Sequence, residues 1–142
     1  MKPIPYHSES PLQKPMEAFF VLLTGGVLYF GLEVLLRGFS HLSMAVCGAI
    51  CFWFMYRLSR RRPDLSLLSR ALLSTLFITT VELIAGCILN LELELNLWDY
   101  SDLPYHLLGQ ICLSQSAVWF LLSFPAYGLC RLIRKEVFLC DV

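Results

Sequence analysis

The sequence predicts an all-α membrane protein, a bundle of four transmembrane helices with both termini cytoplasmic. Three observations carry that expectation. Hydrophobic residues fill 57% of the 142 positions and charged residues only 15%, against about 45–50% and about 25% in soluble domains. The charges are segregated, leaving four long apolar runs. The links between those runs differ sharply in sign. Eleven Lys and Arg balance eleven Asp and Glu, which excludes a nucleic-acid binder working through net basic charge. The apolar excess excludes a disordered chain. The six cysteines sit in an apolar chain rather than in a secreted disulfide miniprotein.

Residues 1–16 hold Pro3, Pro5, Pro11 and Pro15 among polar neighbours. They read as a polar, Pro-rich cytoplasmic leader ahead of a single four-span domain, 17–142. A helix crossing about 30 Å of hydrocarbon needs about 20 apolar residues at about 1.5 Å each. Spans are therefore expected near 17–36, 41–57, 70–91 and 104–130. Between Ala18 and Leu36 the only charged residue is Glu33, and between Ala71 and Leu91 it is Glu82. His41–Tyr56 and Leu103–Cys130 contain no Asp, Glu, Lys or Arg. Pro125 lacks a backbone donor and predicts a kink in the fourth span. All four runs are apolar around the whole helix, unlike the one-sided helices of a soluble protein. The first run is too long, and starts too late, for the core of a signal peptide. Asp102 and Pro104 suit the start of the fourth helix as cap and first-turn proline. The alternation Leu91-Glu92-Leu93-Glu94-Leu95 suits a short extended stretch.

Loop charge sets the expected orientation. Arg57, Arg60, Arg61, Arg62 and Arg70 crowd the link between spans two and three, and Arg131, Arg134 and Lys135 follow span four. The link between spans three and four holds Glu92, Glu94, Asp99 and Asp102 without Lys or Arg. Counting Lys and Arg near span ends puts the termini and the Arg-rich link in the cytoplasm, and the acidic link outside. Tyr56, Trp98, Tyr100 and Tyr105 fall near the interfaces that amphipathic rings prefer. A weak repeat is also visible. Spans one and three each carry a Glu followed by a Gly, and Gly48-Ala49-Ile50-Cys51 parallels Gly109-Gln110-Ile111-Cys112. A parallel duplication would place Glu33 and Glu82 on facing helices.

A carboxylate in hydrocarbon must be protonated, paired or turned to a wet cavity, and such residues are functional candidates by default. Glu33 and Glu82 are therefore the leading site residues. Arg37, four residues after Glu33, shares its helix face and suits an ion pair. His41, Asn90, Asp99, Tyr100, His106 and Gln110 map to the same outer region. Together these groups suit a polar solute, a cation or a proton relay; the bland reading is polar glue between helices. No His/Cys spacing resembles a zinc site, and no metal or cofactor is expected. The cysteines read as small packing residues, and Gly25, Gly26, Gly31, Gly48 and Gly86 as points of close helix approach. There is no phosphate-binding loop, so any ATP use belongs to another subunit.

The runs Glu33-x-x-x-Arg37-Gly38-x-Ser40-His41-x-Ser43-Met44, Glu82-x-x-x-Gly86-x-x-x-Asn90 and Trp98-Asp99-Tyr100-Ser101-Asp102-x-Pro104, with the downstream Gly109-Gln110-Ile111-Cys112, resemble the small "putative ABC-transporter type IV", or CmpB-like, permeases. The resemblance spans nearly the whole chain after residue 16, and a eukaryotic family of small four-span proteins is similar. His106 departs from the Asn expected there. The resemblance implies a multi-pass cell-membrane protein that serves as a permease component rather than an enzyme. The residues themselves suggest an outward-facing polar site, and four helices are too thin for a solute path without a homo-oligomer or a separate ATPase or membrane partner; nucleic acid is not an expected partner. The alternative is an assembly or sensory protein that binds a partner and transports nothing. A third class, an enzyme acting on lipid headgroups, would draw on Asp99, Ser101 and His106.

Overall fold

The computed structural model describes residues 13–138. Among them are four helices long and apolar enough to cross a membrane: Lys14–Arg37, Leu42–Arg61, Leu67–Glu92 and Leu113–Val137. The α-helical parts are α1 (Gln13–Arg37), α2 (Leu42–Arg61), α3 (Leu67–Gly86) and α4 (Leu113–Leu132). Helices α3 and α4 each run on into a π-helical turn, Cys87–Glu92 and Ile133–Val137. Two short strands, β1 (His106–Leu107) and β2 (Ile111–Cys112), pair antiparallel with His106 opposite Cys112. The expected leader lies outside the described residues up to position 12. Gln13–Met16 belong to α1, where Pro15 sits in a first turn whose amides have no helical partner.

Local chemistry sets the helix starts. His41 begins α2 by accepting the Ser43 amide on Nδ1 at 3.3 Å, and Ser66 begins α3 by accepting the Ser69 amide at 3.1 Å. The side-chain acceptor satisfies an amide that the first turn leaves free. Short links make α1 and α2 antiparallel neighbours. They approach so closely that a Cβ on Gly48 would lie 2.4 Å from the Cβ of Tyr29. Phe54 stacks on Phe77 at 3.9 Å to join α2 to α3. Ser74 meets Tyr127 at 2.6 Å and Thr79 meets Ser116 at 3.2 Å, joining α3 to α4. Helices α1 and α4 meet through side chains instead of close backbone packing. Tyr29 lies against Trp119, and Phe20 lies edge-on to Phe138 just past α4.

The two ends of the bundle differ. Near the chain termini, Val21, Phe52, Met55, Tyr56, Tyr127, Cys130 and Ile133 form a buried cluster. The opposite end carries residues 93–112 and is hollow. Leu35, Leu42, Leu76 and Leu121 are exposed on the outside of the bundle, an apolar perimeter that suits lipid and not water.

Several sequence expectations need correction. The fourth helix begins at Leu113 instead of 104. Tyr105 and Leu108 have φ of 55° and 53°, a left-handed conformation that a right-handed helix excludes. Asp102 and Pro104 therefore lie in turns rather than at a helix start. The 91–95 stretch is not extended. Leu91 and Glu92 finish the π-helical turn, and Glu94 and Asn96 are left-handed at φ 52° and 49°. The two Gly-x-Ile-Cys strings are not structural equivalents, since Gly48–Cys51 is mid-helix and Gly109–Cys112 forms a turn and a strand. Pro125, by contrast, lies inside α4 as the sequence leads one to expect.

Candidate functional site

Glu33 lies near the end of α1 and is buried, with 7% of its surface exposed. Arg37 Nη1 donates to one carboxylate oxygen at 2.7 Å, and the Ser40 hydroxyl donates to the other at 2.5 Å. The pairing follows from the four-residue spacing, which stacks the two side chains on one face. Arg37 also donates to the carbonyl of Leu97, so it ties α1 to the loop, and its guanidinium lies 4.9 Å from the Phe39 ring centre.

Glu82 is half-buried on α3 and takes different partners. Tyr100 Oη and Trp119 Nε1 each donate to one of its oxygens, both at 3.0 Å. Among the described residues no Lys, Arg or His pairs with it. A carboxylate accepts at about four positions; two are used by these donors. Burial, then the nearby Glu82 charge, pushes the Tyr100 phenol above its ordinary value, so it stays a donor at neutral pH.

The loop that supplies Tyr100 is fixed by Asn90 and Gln110. Buried Asn90 donates to the Trp98 carbonyl at 3.0 Å and to Gln110 Oε1 at 2.8 Å, and it accepts the Leu97 amide at 2.7 Å. Trp98 Nε1 in turn donates to the Gln110 carbonyl at 3.0 Å. Gly86 makes room for this network, since a Cβ there would stand 2.6 Å from Gln110 Oε1. Four left-handed non-glycine residues, Glu94, Asn96, Tyr105 and Leu108, are held in this segment. Each such conformation costs on the order of 1–3 kcal/mol and persists only where its surroundings over-determine it.

Two cavities adjoin under this loop. The outer one, about 380 Å³, is lined by Glu33, Arg37, Asp99, Tyr100 and Gln115 among apolar neighbours. The inner one, about 300 Å³, reaches down to Met55 and Leu129 and has Glu82 as its only carboxylate. Tyr29, Leu32, Trp98, Trp119 and Leu122 line both. Glu33 and Glu82 thus stand in adjoining compartments with an aromatic wall between them.

The remaining expected residues lie elsewhere. His41 is the exposed cap of α2, and exposed His106 accepts the Gly109 amide at 3.1 Å; neither lines a cavity. Asp99 lies at the rim. The Ser101 hydroxyl and amide, 2.6 and 2.9 Å from its Oδ1, hold its carboxyl below the usual aspartate range. Among the described residues no three of His, Cys, Asp and Glu stand together as a metal site would require.

Sequence reasoning missed Tyr29, Gln115, Trp119 and Glu17. A signal for Trp119 was present: a mid-span indole N–H needs an acceptor, and Glu82 offers one. Glu17 opens the first span and is 4% exposed, accepting from Tyr56 and, at 2.6 Å, from Arg60.

The apolar perimeter, the four long helices and the buried carboxylates are those of a multi-pass membrane protein with cavities between its helices. The chain belongs to the family "Putative ABC-transporter type IV", whose model matches residues 16–139. No curated protein and no solved structure matches the chain.

Proposed function

We propose that this protein is a non-enzymatic transport component of the cell membrane, with the outer cavity as solute entrance and the inner cavity as binding chamber. The observation that carries this reading is the wall shared by the two cavities, Tyr29, Leu32, Trp98, Trp119 and Leu122. A solute contacting Glu33 and Arg37 on one side of that wall has Glu82 on the other. With Arg131, Arg134 and Lys135 following span four, the termini face the cytoplasm and the entrance opens outward. Four helices are too thin to enclose a full path, and a second copy or a membrane partner completes it. Hydrolysis of ATP falls to a separate subunit. Family membership supports the same reading.

The test is purification from native membranes, followed by ATPase and flux assays of the reconstituted complex. A nucleotide-hydrolysing partner is expected, with activity falling about tenfold in Glu82→Gln while membrane insertion is unchanged. The closed Asn90–Gln110–Trp98 network favours a second reading, a rigid assembly or sensory protein. A stable partner that neither hydrolyses nucleotide nor supports flux would favour it.

A further inference from the structure

The inner cavity has the chemistry of a receptor for a lipophilic organic cation. Its lining holds Glu82 and no Lys, Arg or His, so nothing cationic in that chamber balances an ionised carboxylate. Trp119 and Tyr100 fix the carboxylate with two neutral donors, which orient it without neutralising it. The rings of Tyr29, Trp98 and Trp119 line the same end of the chamber, and Tyr29 and Trp119 lie 5.8 Å apart. A cation within about 6 Å of such ring faces is attracted by their quadrupoles, and quaternary ammonium groups are recognised in this way. Deeper in, Phe52, Met55, Ile78, Ala126 and Leu129 offer only apolar contact. The volume, about 300 Å³, holds about ten heavy atoms at about 30 Å³ for each water-sized group.

Access is lateral. Leu36 on α1 and Val118 and Leu122 on α4 line the outer cavity while exposed on the perimeter. The seam between these helices therefore opens toward lipid, where an amphiphile would already be concentrated. In the outer cavity Arg37 offsets Glu33, and Asp99 adds a further negative charge at the rim. The sum disfavours an anionic headgroup.

We infer that the chamber binds a single-chain quaternary ammonium amphiphile, its head against Glu82 and the rings of Tyr29, Trp98 and Trp119 and its tail toward Met55 and Leu129. The inference takes its site from the transport reading, but its test measures binding alone. The probe is radiolabelled hexyltrimethylammonium, which has about ten heavy atoms, dialysed against the full chain in nanodiscs of uncharged diglucosyl diacylglycerol, with empty nanodiscs subtracted. Saturable binding near one per chain is expected, with hexanol and hexanoate failing to compete. Glu82→Gln should weaken it about tenfold, about 1.4 kcal/mol. Ala85→Leu, which fills the chamber and leaves the carboxylate, should abolish saturable binding while thermal stability holds. The second variant decides the matter if the first misfolds. Equal competition by hexanol, binding unchanged in both variants, or no saturable binding by the folded protein would overturn the inference. ATPase activity or flux that still depends on Glu82 without cation binding would overturn this ligand class and leave the transport reading standing.

Discussion

Helix α1 carries a buried glutamate near each end, and each meets an arginine: Glu17 with Arg60 and Glu33 with Arg37. The surroundings of the two pairs differ. Glu17 also accepts from Tyr56, which belongs to the packed cluster at the termini end. Glu33 lines a cavity, and behind that cavity Glu82 has no cationic partner among the described residues. The same chemistry thus serves in one place as a sealed tie between α1 and α2, and in the other as the wall of an open chamber. A buried carboxylate in this molecule signals a site only where packing around it is incomplete.

That contrast breaks most visibly under truncation. Tyr56 is fully buried, and Tyr56→Ala should cost about 3–5 kcal/mol, the range for deleting a buried aromatic side chain. Leu122→Ala enlarges a void that already exists and should cost less than about 2 kcal/mol, the lower bound for a packed leucine. Thermal denaturation of both variants in nanodiscs checks the pair. Equal losses would mean that the loop end is packed as tightly as the other.

A middle-sized effect sharpens the picture of the loop. Asn90→Ala removes the donor to Gln110 Oε1 and to the Trp98 carbonyl and the acceptor of the part-buried Leu97 amide, at about 1–3 kcal/mol for each buried group left unsatisfied. Trp98 loses its support, so hydrogen exchange of residues 94–100 should accelerate while that of 42–61 stays unchanged.

Much of this architecture was readable in advance because the physics is local. Four spans follow from runs of apolar residues, and the Glu33–Arg37 pair follows from helix spacing. What stayed hidden depends on long-range closure. The start of α4 looked settled by Asp102 and Pro104, yet the loop folds instead around Asn90 and Gln110, a bond between residues twenty positions apart. Glu82 was recognised as costly, but its partners Tyr100 and Trp119 lie on a loop and a different helix. No periodicity connects them. Glu17 was overlooked because a charge at the first residue of a span reads as solvated.

The smallest effect is at the rim. The Asp99 carboxyl is held below its ordinary value by Ser101, so the turn's stabilisation is present above the usual aspartate pKa of about 3.9. It fades as pH falls through the lower folded value. The Ser101 amide resonance should shift across that interval and remain constant from there to neutrality.

The sharpest test of an open chamber against a sealed tie is carboxyl modification by dicyclohexylcarbodiimide, an apolar reagent, in lipid nanodiscs with peptide mapping. Glu82 should be modified first and Glu33 more slowly because Arg37 pairs with it, while Glu17 stays intact over the same period. Labelling of Glu17 as fast as Glu82, or no labelling of Glu82 in the folded protein, would contradict the account.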